Sequence, residues 1–360
     1  MSTHFHTLTI KDIQKETADC ISIAFEVPAV LKNEFQFTQG QNITLKKNIG
    51  GAEIRRSYSI CSSTMENELR IAVKQIDNGV FSVYANTQLK KGDTLEVLPP
   101  TGRFFTELSS THQKKYIAFA AGSGITPILS IIKTTLAVEA KSSFTLIFGN
   151  RNRSSIIFKE ALESIKDKYM ERFTLHHILS GEDMDTALNY GRIDADTCKQ
   201  LFSTVLQPNT FDEYFICGPT EMIFTVKDFL LAQNISATNI HFELFSTPDQ
   251  TQTKPIDTPK KTSSKNTSSQ VTVKQDGTAI SFALPYNSSS ILDAALKQGV
   301  DLPYACKGGV CSTCRAKLLE GEVEMDQNYA LEPDEVAAGF ILTCQSHPRS
   351  EKVVVDFDVT

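Results

Sequence analysis

The sequence has no hydrophobic run that approaches the roughly 20 apolar residues of a membrane-spanning helix. No basic segment followed by an apolar one opens the chain, and neither a basic domain nor a DNA-binding motif is present. These absences argue against a membrane protein, a secreted disulfide-stabilised protein and a nucleic-acid-binding protein. We therefore expect a cytoplasmic protein that binds neither membranes nor nucleic acids, and its 360 residues predict two to three domains.

Three of the eight cysteines follow the spacing C-x₄-C-x₂-C and a fourth lies farther along the chain, which is the plant-type pattern for a 2Fe–2S cluster. A structural zinc site usually pairs two short cysteine hooks, whereas here three cysteines share one loop. Disulfide bonds need an oxidising compartment, which the sequence does not indicate. The spacing favours a cluster, with zinc and structural thiols as the alternatives. The predicted ligands are Cys306, Cys311, Cys314 and Cys344.

The residues around these cysteines resemble the cluster loop of plant-type ferredoxins, with Pro303-Tyr-Ala before the loop and Ser312-Thr within it. Short apolar segments on both sides predict strands, and residues 291–299 predict a helix that ends in glycine. The size and the order of these elements indicate a β-grasp ferredoxin domain over residues 271–360.

A polar segment separates this domain from the rest of the chain. Residues 247–270 are dense in Ser, Thr, Lys, Pro and Gln and nearly free of large apolar side chains, so they predict a linker. Residues 271–360 carry 13 acidic and 7 basic side chains, which accounts for the whole net charge of −6. This acidic surplus indicates either docking to a basic partner or a solvated acidic surface.

Residues 1–110 contain short alternating segments broken by turn residues, which predict an antiparallel β-barrel. Within them, Arg56-Ser-Tyr58-Ser59 resembles the R-x-Y-S signature of the ferredoxin-NADP reductase superfamily. A guanidinium suits the flavin pyrophosphate, an aromatic ring suits the isoalloxazine face and a hydroxyl suits flavin N5. An arginine on a strand is often only a surface charge, and a tyrosine is often only a packing ring. The motif alone therefore does not predict a flavin site, and the prediction depends on further motifs.

Two companion motifs favour a flavin. Gly79-Val-Phe-Ser82 resembles the superfamily's second phosphate motif, in which backbone N–H groups and a serine hydroxyl at a helix start receive an anion. Pro100-Thr-Gly-Arg-Phe104 resembles the turn that closes the flavin barrel. Together these motifs predict that residues 1–110 bind a flavin, with FAD favoured over FMN.

Residues 111–246 alternate buried strands with helices, which predicts a parallel sheet flanked by helices. The turn Gly122-Ser-Gly124-Ile-Thr126 joins a strand to a helix and would present free N–H groups to a pyrophosphate. A lone G-x-G pattern is common in tight turns. Cys217-Gly218-Pro219, however, resembles the superfamily's C-G-P motif after a later strand and supports a nicotinamide dinucleotide site.

Three arginines bear on the choice between NADPH and NADH. Arg151 and Arg192 lie where NADP-using members of the superfamily grip the ribose 2′-phosphate, and Arg153 is a third candidate. The alternative is that all three are surface arginines, so NADPH is favoured over NADH without being fixed.

Glu243-Leu-Phe245 resembles the superfamily's E-x-F ending, with the glutamate near the nicotinamide and the ring against the flavin. The alternative is that Phe245 packs in the core.

Taken together, the chain resembles the reductase components of multicomponent phenylacetyl-CoA epoxidases, in a multidomain fold of flavin barrel, nicotinamide domain and ferredoxin domain. The closest matches are residues 56–61, 121–127, 149–151, 301–311 and 353–358. The resemblance implies that NADPH delivers a hydride to FAD, that electrons leave singly through the 2Fe–2S cluster, and that a separate di-iron oxygenase accepts them.

The resemblance also implies which residues surround the reacting atoms. They are Ser59, Thr126, Cys217 and Glu243, with Cys217 as a positioning and packing residue and not a nucleophile. Two alternatives to this function are a reductase of another oxygenase that uses NADH or FMN, and an iron–sulfur redox sensor.

Overall fold

The structure is a computed structural model that describes residues 4–184, 186–206, 210–247 and 268–359. One compact unit comprises residues 6–244, and a second comprises the described residues from 245 onwards together with residues 4 and 5. Within the described ranges, none of the helices has the length and hydrophobicity needed to cross a lipid bilayer.

The first six strands form an antiparallel sheet in the order β4-β3-β6-β1-β2-β5. The sheet closes into a barrel where Ile60, just after β4, bridges to Ile71 of β5. Fully buried aliphatic side chains such as Leu8 and Ile23 fill the interior, and helix α1 (Val80–Thr87) packs against β5. The strands are β1 (His6–Thr17), β2 (Cys20–Glu26), β3 (Asn42–Ile49), β4 (Ala52–Ser59), β5 (Leu69–Lys74) and β6 (Thr94–Val97).

The same unit contains a five-stranded parallel sheet in the order β11-β10-β7-β8-β9. Its strands are almost continuously apolar, as expected of strands buried on both faces. The order proceeds outward in both directions from β7, so it reverses between β7 and β10. The elements are β7 (Lys115–Ala121), α2 (Ile125–Val138), β8 (Ser143–Asn150), α3 (Lys159–Lys168), β9 (Phe173–Leu179), α4 (Ala195–Thr204), β10 (Glu213–Cys217), α5 (Thr220–Ala232) and β11 (Ile240–Glu243).

Buried hydrogen bonds join the barrel to helix α2 of the parallel sheet. The hydroxyl of Ser130 donates to the carbonyl oxygen of Ser62 at 2.6 Å. The hydroxyls of Ser63 and Thr134 lie 3.1 Å apart. A buried polar group that loses its hydrogen-bond partner destabilises the fold. These bonds therefore hold the barrel at a defined position on the sheet.

A buried carboxylate organises the opposite, amino-terminal edge of the parallel sheet. Glu139 accepts hydrogen bonds from the hydroxyls of Tyr116 (2.9 Å) and Ser142 (2.7 Å) and from the backbone N–H of Ser109 (3.1 Å). Its Oε1 also lies 2.8 Å from Nδ1 of His112. Burial alone would raise the pKa of Glu139, but these hydrogen bonds outweigh it and the pKa lies below its ordinary value of 4.5.

The second unit is a mixed β-grasp sheet in the order β13-β12-β18-β14-β16, with β12 and β18 parallel and a separate β15–β17 pair. Helix α6 begins at the N-cap Ser290 and ends just before Gly299, whose φ of +82° stops it, so the predicted helix is confirmed. The elements are β12 (Ser268–Gln275), β13 (Thr278–Pro285), α6 (Ile291–Lys297), β14 (Arg315–Glu320), β15 (Val323–Met325), α7 (Pro333–Ala337), β16 (Phe340–Leu342), β17 (Ser346–Pro348) and β18 (Lys352–Asp356).

One predicted boundary needs correction. Residues 248–267 of the predicted linker lie outside the described residues, but residues 268–270 form the start of β12. The backbone of Ser268 and Ser269 pairs with β13, so polar side chains that read as linker are part of the sheet. Strand pairing uses backbone groups, which composition alone does not report.

Candidate active site and iron–sulfur centre

The carboxyl ends of the parallel strands meet at one edge of the sheet, on both sides of the point where the strand order reverses. Strand β7 ends at Ala121, its neighbour β10 ends at Cys217, and Glu243 of β11 pairs with Cys217. Open α/β sheets bind their ligands in the crevice outside such a reversal. The residues predicted around the nicotinamide therefore lie where this fold places a ligand.

The Gly-rich turn from β7 to α2 forms one side of this crevice. Gly122 has a φ of +53°, and Gly124 approaches β10 so closely that a Cβ there would collide with the carbonyl oxygen of Cys217. Thr126 is buried, and its hydroxyl donates to the carbonyl oxygen of Ser123 at 3.0 Å, which holds the turn. The N-cap residue of α2, Gly124, has no side chain to cap the helix, but the N–H of Ile125 already donates to the carbonyl oxygens of Gly122 and Ser123. Binding of an anionic pyrophosphate at this turn therefore stays a prediction.

The end of β10 forms the other side. A Cβ on Gly218 would lie 2.7 Å from the methyl carbon of Met222 and 3.1 Å from the backbone nitrogen of Ala121, so a side chain there would require Met222 to move and would press on the end of β7. Pro219 is the N-cap of α5. Cys217 is fully buried, and burial raises its pKa well above the ordinary value, with a further contribution from Glu243. The side chain is a neutral thiol, which agrees with positioning and not with nucleophilic attack.

A hydrogen bond joins the barrel to the last strand of the parallel sheet. The hydroxyl of Ser59, at the end of β4, donates to Oε2 of Glu243 at 2.8 Å. Burial raises the pKa of Glu243 to about 7, although the hydrogen bond from Ser59 acts in the opposite direction. The structure thus brings Ser59, Glu243 and Cys217 together, and the carboxyl group titrates near neutral pH.

The predicted flavin residues of β4 lie on the barrel next to α1. The ring of Tyr58 packs on Phe81 with the ring centroids 5.6 Å apart, and burial raises the pKa of its hydroxyl. Arg56 is exposed, and its Nη1 donates to the carbonyl oxygen of Arg55 at 2.7 Å. Across the described ranges no carboxylate pairs with Arg56, so the guanidinium can receive an anion.

The turn before α1 is held by Ser82. Its hydroxyl accepts from the backbone N–H of Ile76 at 3.2 Å and donates to the carbonyl oxygen of Gly79 at 3.3 Å. A Cβ on Gly79 would lie 2.5 Å from Cγ1 of Ile76, so glycine is required for this turn. The serine hydroxyl is thus engaged with the backbone, and its contact with a flavin phosphate stays a prediction.

The arginines predicted to select NADPH lie at the carboxyl ends of β8 and β9. Arg151 directly follows β8, and the loop of Arg192 is tied to β9 because the N–H of Gly191 donates to the carbonyl oxygen of Leu179 at 3.0 Å. Both guanidinium groups are exposed and have no protein partner among the residues that the structure describes. Arg153 differs, because its Nη1 forms an ion pair with Glu182 at 2.8 Å.

In the second unit, the four predicted cluster ligands converge. The thiol of Cys311 donates to the sulfur of Cys306 at 3.1 Å, and the N–H of Gly308 donates to that sulfur at 3.3 Å. Hydrogen bonds from Cys311 and Cys344 lower the pKa of Cys306, and those same bonds raise the pKa of the two donors. A left-handed φ of +75° at Gly309 lets the loop turn tightly over the carbonyl oxygen of Gln327.

The donor set consists of four cysteine sulfurs, which is the ligand set of a plant-type 2Fe–2S cluster. Two thiolates on one tetrahedral metal with bonds of about 2.3 Å lie about 3.8 Å apart. The sulfurs of Cys306 and Cys311 lie 3.1 Å apart, and no group of three or more His, Cys, Asp or Glu side chains in the described residues is spaced to hold a metal ion. The thiols must therefore lose their protons and separate slightly when a cluster binds.

The sequence analysis does not predict Gln345, which lies beside the cluster loop. The amide Nε2 of Gln345 lies 3.8 Å from the sulfur of Cys344 and donates to the carbonyl oxygen of Lys307 at 2.9 Å, and its position after Cys344 was the only available signal.

Phe245 belongs to the second unit and is 44% exposed, so it is not a core residue of the described chain. Its contact with the flavin stays a prediction.

Three protein-family models match consecutive parts of the chain. An oxidoreductase FAD-binding domain matches residues 7–106, an oxidoreductase NAD-binding domain matches residues 119–228, and a 2Fe-2S iron-sulfur cluster binding domain matches residues 273–349. These matches confirm the three cofactor classes and their order. The preference for NADPH over NADH stays a prediction.

Several relatives match this chain along nearly its whole length. One of the subunits of 1,2-phenylacetyl-CoA epoxidase from Escherichia coli (strain K12) is 46% identical over 99% of this chain and 98% of its own. The ferredoxin reductase component of 3-ketosteroid-9-alpha-monooxygenase from Rhodococcus rhodochrous is 32% identical over 97% and 96%. The solved structure of phthalate dioxygenase reductase, 26% identical, covers 98% of both chains with a TM-score of 0.59. The chain therefore belongs to the family of oxidoreductases with FAD-binding, NAD-binding and 2Fe–2S domains that includes this epoxidase component, within the ferredoxin-NADP reductase superfamily.

Proposed function

We propose that this chain is the NADPH-oxidising reductase component of a multicomponent oxygenase that epoxidises phenylacetyl-CoA. In this proposal its electron acceptor is a separate di-iron oxygenase, and it works in the cytoplasm with no membrane or nucleic-acid partner. The observation that carries the proposal is the 46% identity to the Escherichia coli epoxidase component along nearly the full length of both chains.

Each part of the chain has a proposed role. Residues 1–110 bind FAD, residues 111–246 bind NADPH, residues 247–267 link the domains and residues 268–360 hold the cluster. Bound FAD accepts a hydride from NADPH, and the 2Fe–2S cluster passes the electrons on one at a time. The substrate of the oxygenase does not react on this chain.

The binding residues act mainly through charge and backbone donors. Arg56 pairs with the FAD pyrophosphate, Tyr58 lies along the isoalloxazine face, and the α1 start at Gly79 and Ser82 receives a phosphate oxygen. The Gly-rich turn before α2 receives the NADPH pyrophosphate, and Arg151 and Arg192, which have no partner among the described residues, bind its 2′-phosphate. Phe245 covers the flavin, and Cys306, Cys311, Cys314 and Cys344 ligate the cluster.

The catalytic residues lie at the switch point of the sheet. Ser59 holds Glu243 at 2.8 Å and so fixes the carboxylate beside the nicotinamide. As a hydride leaves the nicotinamide ring, positive charge develops on that ring, and the ionised carboxylate of Glu243 stabilises it. Cys217 packs beneath the ring as a neutral thiol and excludes water.

A second candidate function is the reductase of a different oxygenase. The 32% identity to the steroid monooxygenase component over nearly the whole chain favours this alternative over a redox sensor, because a sensor would not need a complete nicotinamide crevice. Using NADH or FMN would fit this alternative as well.

The first experiment is an anaerobic titration of the purified protein with NADPH and, separately, with NADH, followed by flavin and cluster absorbance. NADPH should bleach both chromophores at lower concentration than NADH. The reduced protein is then mixed with a purified di-iron phenylacetyl-CoA oxygenase, and epoxide formation is measured by mass spectrometry. Bleaching without epoxide formation would favour the alternative, a reductase of a different oxygenase. No bleaching by either nucleotide would refute the reductase function.

A further inference from the structure

Gly181 lies just beyond β9, at the edge that carries Arg151 and Arg192. Its φ is outside the left-handed region, so the backbone there does not require glycine. An added Cβ would lie 3.0 Å from Cγ and 3.1 Å from the carbonyl oxygen of Arg151, to which the N–H of Gly181 donates at 2.7 Å. The aliphatic part of the Arg151 side chain therefore occupies the space that a side chain at residue 181 would fill.

The next residue, Glu182, has both carboxylate oxygens engaged by Arg153. Oε1 lies 2.8 Å from Nη1 of Arg153, and Oε2 accepts from the backbone N–H of Arg153 at 2.9 Å. A free carboxylate at the end of such a strand would repel a ribose 2′-phosphate and would instead suit the 2′-hydroxyl of NADH. The bond to the backbone N–H fixes the carboxylate even though the side chain of Arg153 is 62% exposed.

This edge of the parallel sheet, at the ends of β8 and β9, therefore carries an excess of positive charge. Two guanidinium groups, those of Arg151 and Arg192, have no partner within the described ranges, while the carboxylate of Glu182 is neutralised. A 2′-phosphate gains from two such arginines, and a 2′-hydroxyl gains little from them.

We propose that Gly181 and the Arg153–Glu182 ion pair set the preference for NADPH over NADH. The absent side chain at residue 181 positions the guanidinium of Arg151, and Arg153 neutralises the carboxylate of Glu182. This inference rests on the proposed function, because it takes Arg151 as a ligand of the 2′-phosphate. Gly181, Arg153 and Glu182 are then positioning residues, since they act on the nucleotide through Arg151 and through charge.

The test compares Gly181→Ala, Arg153→Ala and the double variant Arg153→Ala/Glu182→Gln in the full-length, cofactor-loaded protein. KM and kcat are measured for NADPH and NADH with ferricyanide as acceptor. Gly181→Ala and Arg153→Ala should each raise KM for NADPH about tenfold, the effect of one lost charge-assisted contact, and leave KM for NADH and both kcat values within about twofold. The double variant should regain the wild-type KM for NADPH, because no carboxylate is released.

Binding is measured separately by calorimetry with adenosine 2′,5′-bisphosphate and adenosine 5′-monophosphate. Only the bisphosphate should bind more weakly to the two single variants. Lys199→Ala is the matched control, since it removes one positive charge from an exposed ion pair with Asp196 on α4. It should change neither KM nor binding.

The outcomes separate this inference from the proposed function. If the wild-type protein prefers NADPH and Arg151→Ala abolishes that preference, but Gly181→Ala and Arg153→Ala leave it intact, the inference is wrong while the proposed function holds. Failure of the double variant to regain NADPH affinity would assign the ion pair a purely structural role and also overturn the inference. Equal use of both nucleotides by the wild-type protein refutes the NADPH assignment itself.

Discussion

Replacing Ser59 by alanine should move the pH dependence of flavin reduction toward alkaline pH. The hydroxyl of Ser59 donates to Oε2 of Glu243 at 2.8 Å and so favours the ionised carboxylate, whose pKa burial has raised to about 7. A hydrogen bond to a charged group contributes about 1.5–3 kcal/mol, which corresponds to about one to two pKa units. Without this bond the pKa of Glu243 should rise to roughly 8–9.

In the proposed mechanism the rate of flavin reduction should follow the ionised fraction of Glu243, because the carboxylate would stabilise the positive charge that develops on the nicotinamide ring. The wild-type rate should therefore rise with pH through about 7. At pH 7 the variant should react about five- to fiftyfold more slowly, and by pH 9 the two rates should differ by about twofold or less. Anaerobic stopped-flow absorbance at saturating NADPH measures both profiles.

Two control variants test the assignment. Ser57→Ala removes a hydroxyl two residues away on the same strand, one that bonds to Thr44 at 2.8 Å, and it should leave the profile unchanged. Glu243→Gln should abolish the pH transition and leave a slow, pH-independent rate. A wild-type profile without a transition near neutral pH, or an unshifted transition in Ser59→Ala, would refute the reasoning.

Three further predictions concern the cluster, the flavin and the stability of the fold. Cys306→Ser should lose the cluster absorbance and at least about tenfold of electron transfer to the oxygenase, while ferricyanide reduction by NADPH persists, because ferricyanide takes electrons directly from the flavin. Arg56→Ala should raise the dissociation constant of FAD about tenfold in fluorescence titrations, because it removes one charged contact. Glu139→Gln should lower the free energy of unfolding at pH 7 by about 3 kcal/mol in urea denaturation followed by circular dichroism, because four groups donate to or face this buried carboxylate. Since the folded-state pKa of Glu139 is lowered, its contribution is complete above 4.5 and is lost as the pH falls below that value, so the difference from wild type should shrink in acid.

Each of these variants has a matched control in the chain. Cys198→Ser replaces a buried cysteine outside the cluster loop and should keep the cluster. Lys47→Ala removes an exposed charge on the neighbouring strand and should keep FAD affinity. Glu163→Gln breaks an exposed ion pair with Lys159 and should hardly change stability. A control that behaves like its test variant would show that the effect comes from general charge or folding and not from the assigned contact.

Much of the fold could be predicted because its signals are local. The spacing from Cys306 to Cys314 constrains one loop, and the alternation of apolar strands with helices fixes a parallel sheet whose strand ends share an edge. That geometry alone places Gly124, Cys217 and Glu243 near one another. The three domains followed from such local patterns and from motif resemblance.

What the sequence did not reveal depends on long-range contacts. The bond from Ser59 to Glu243 joins residues 184 positions apart, and no periodicity reports it. The same holds for Glu139, whose charge is expected at a surface but is buried because Tyr116, Ser142 and Ser109 satisfy it. The polar start of β12 was assigned to the linker because strand pairing depends on backbone groups and not on composition.

Glu243 lies at the end of the four-residue edge strand β11, so in the proposed mechanism electron entry depends on a short strand at the margin of the sheet. Among the residues that the structure describes, β11 pairs with β10 alone, and short edge strands fray readily. When β11 detaches, the carboxylate leaves Ser59 and the crevice loses its anion, although the barrel and most of the sheet remain folded. In the proposed mechanism, a chain whose β11 has detached would thus bind its nucleotide without oxidising it quickly.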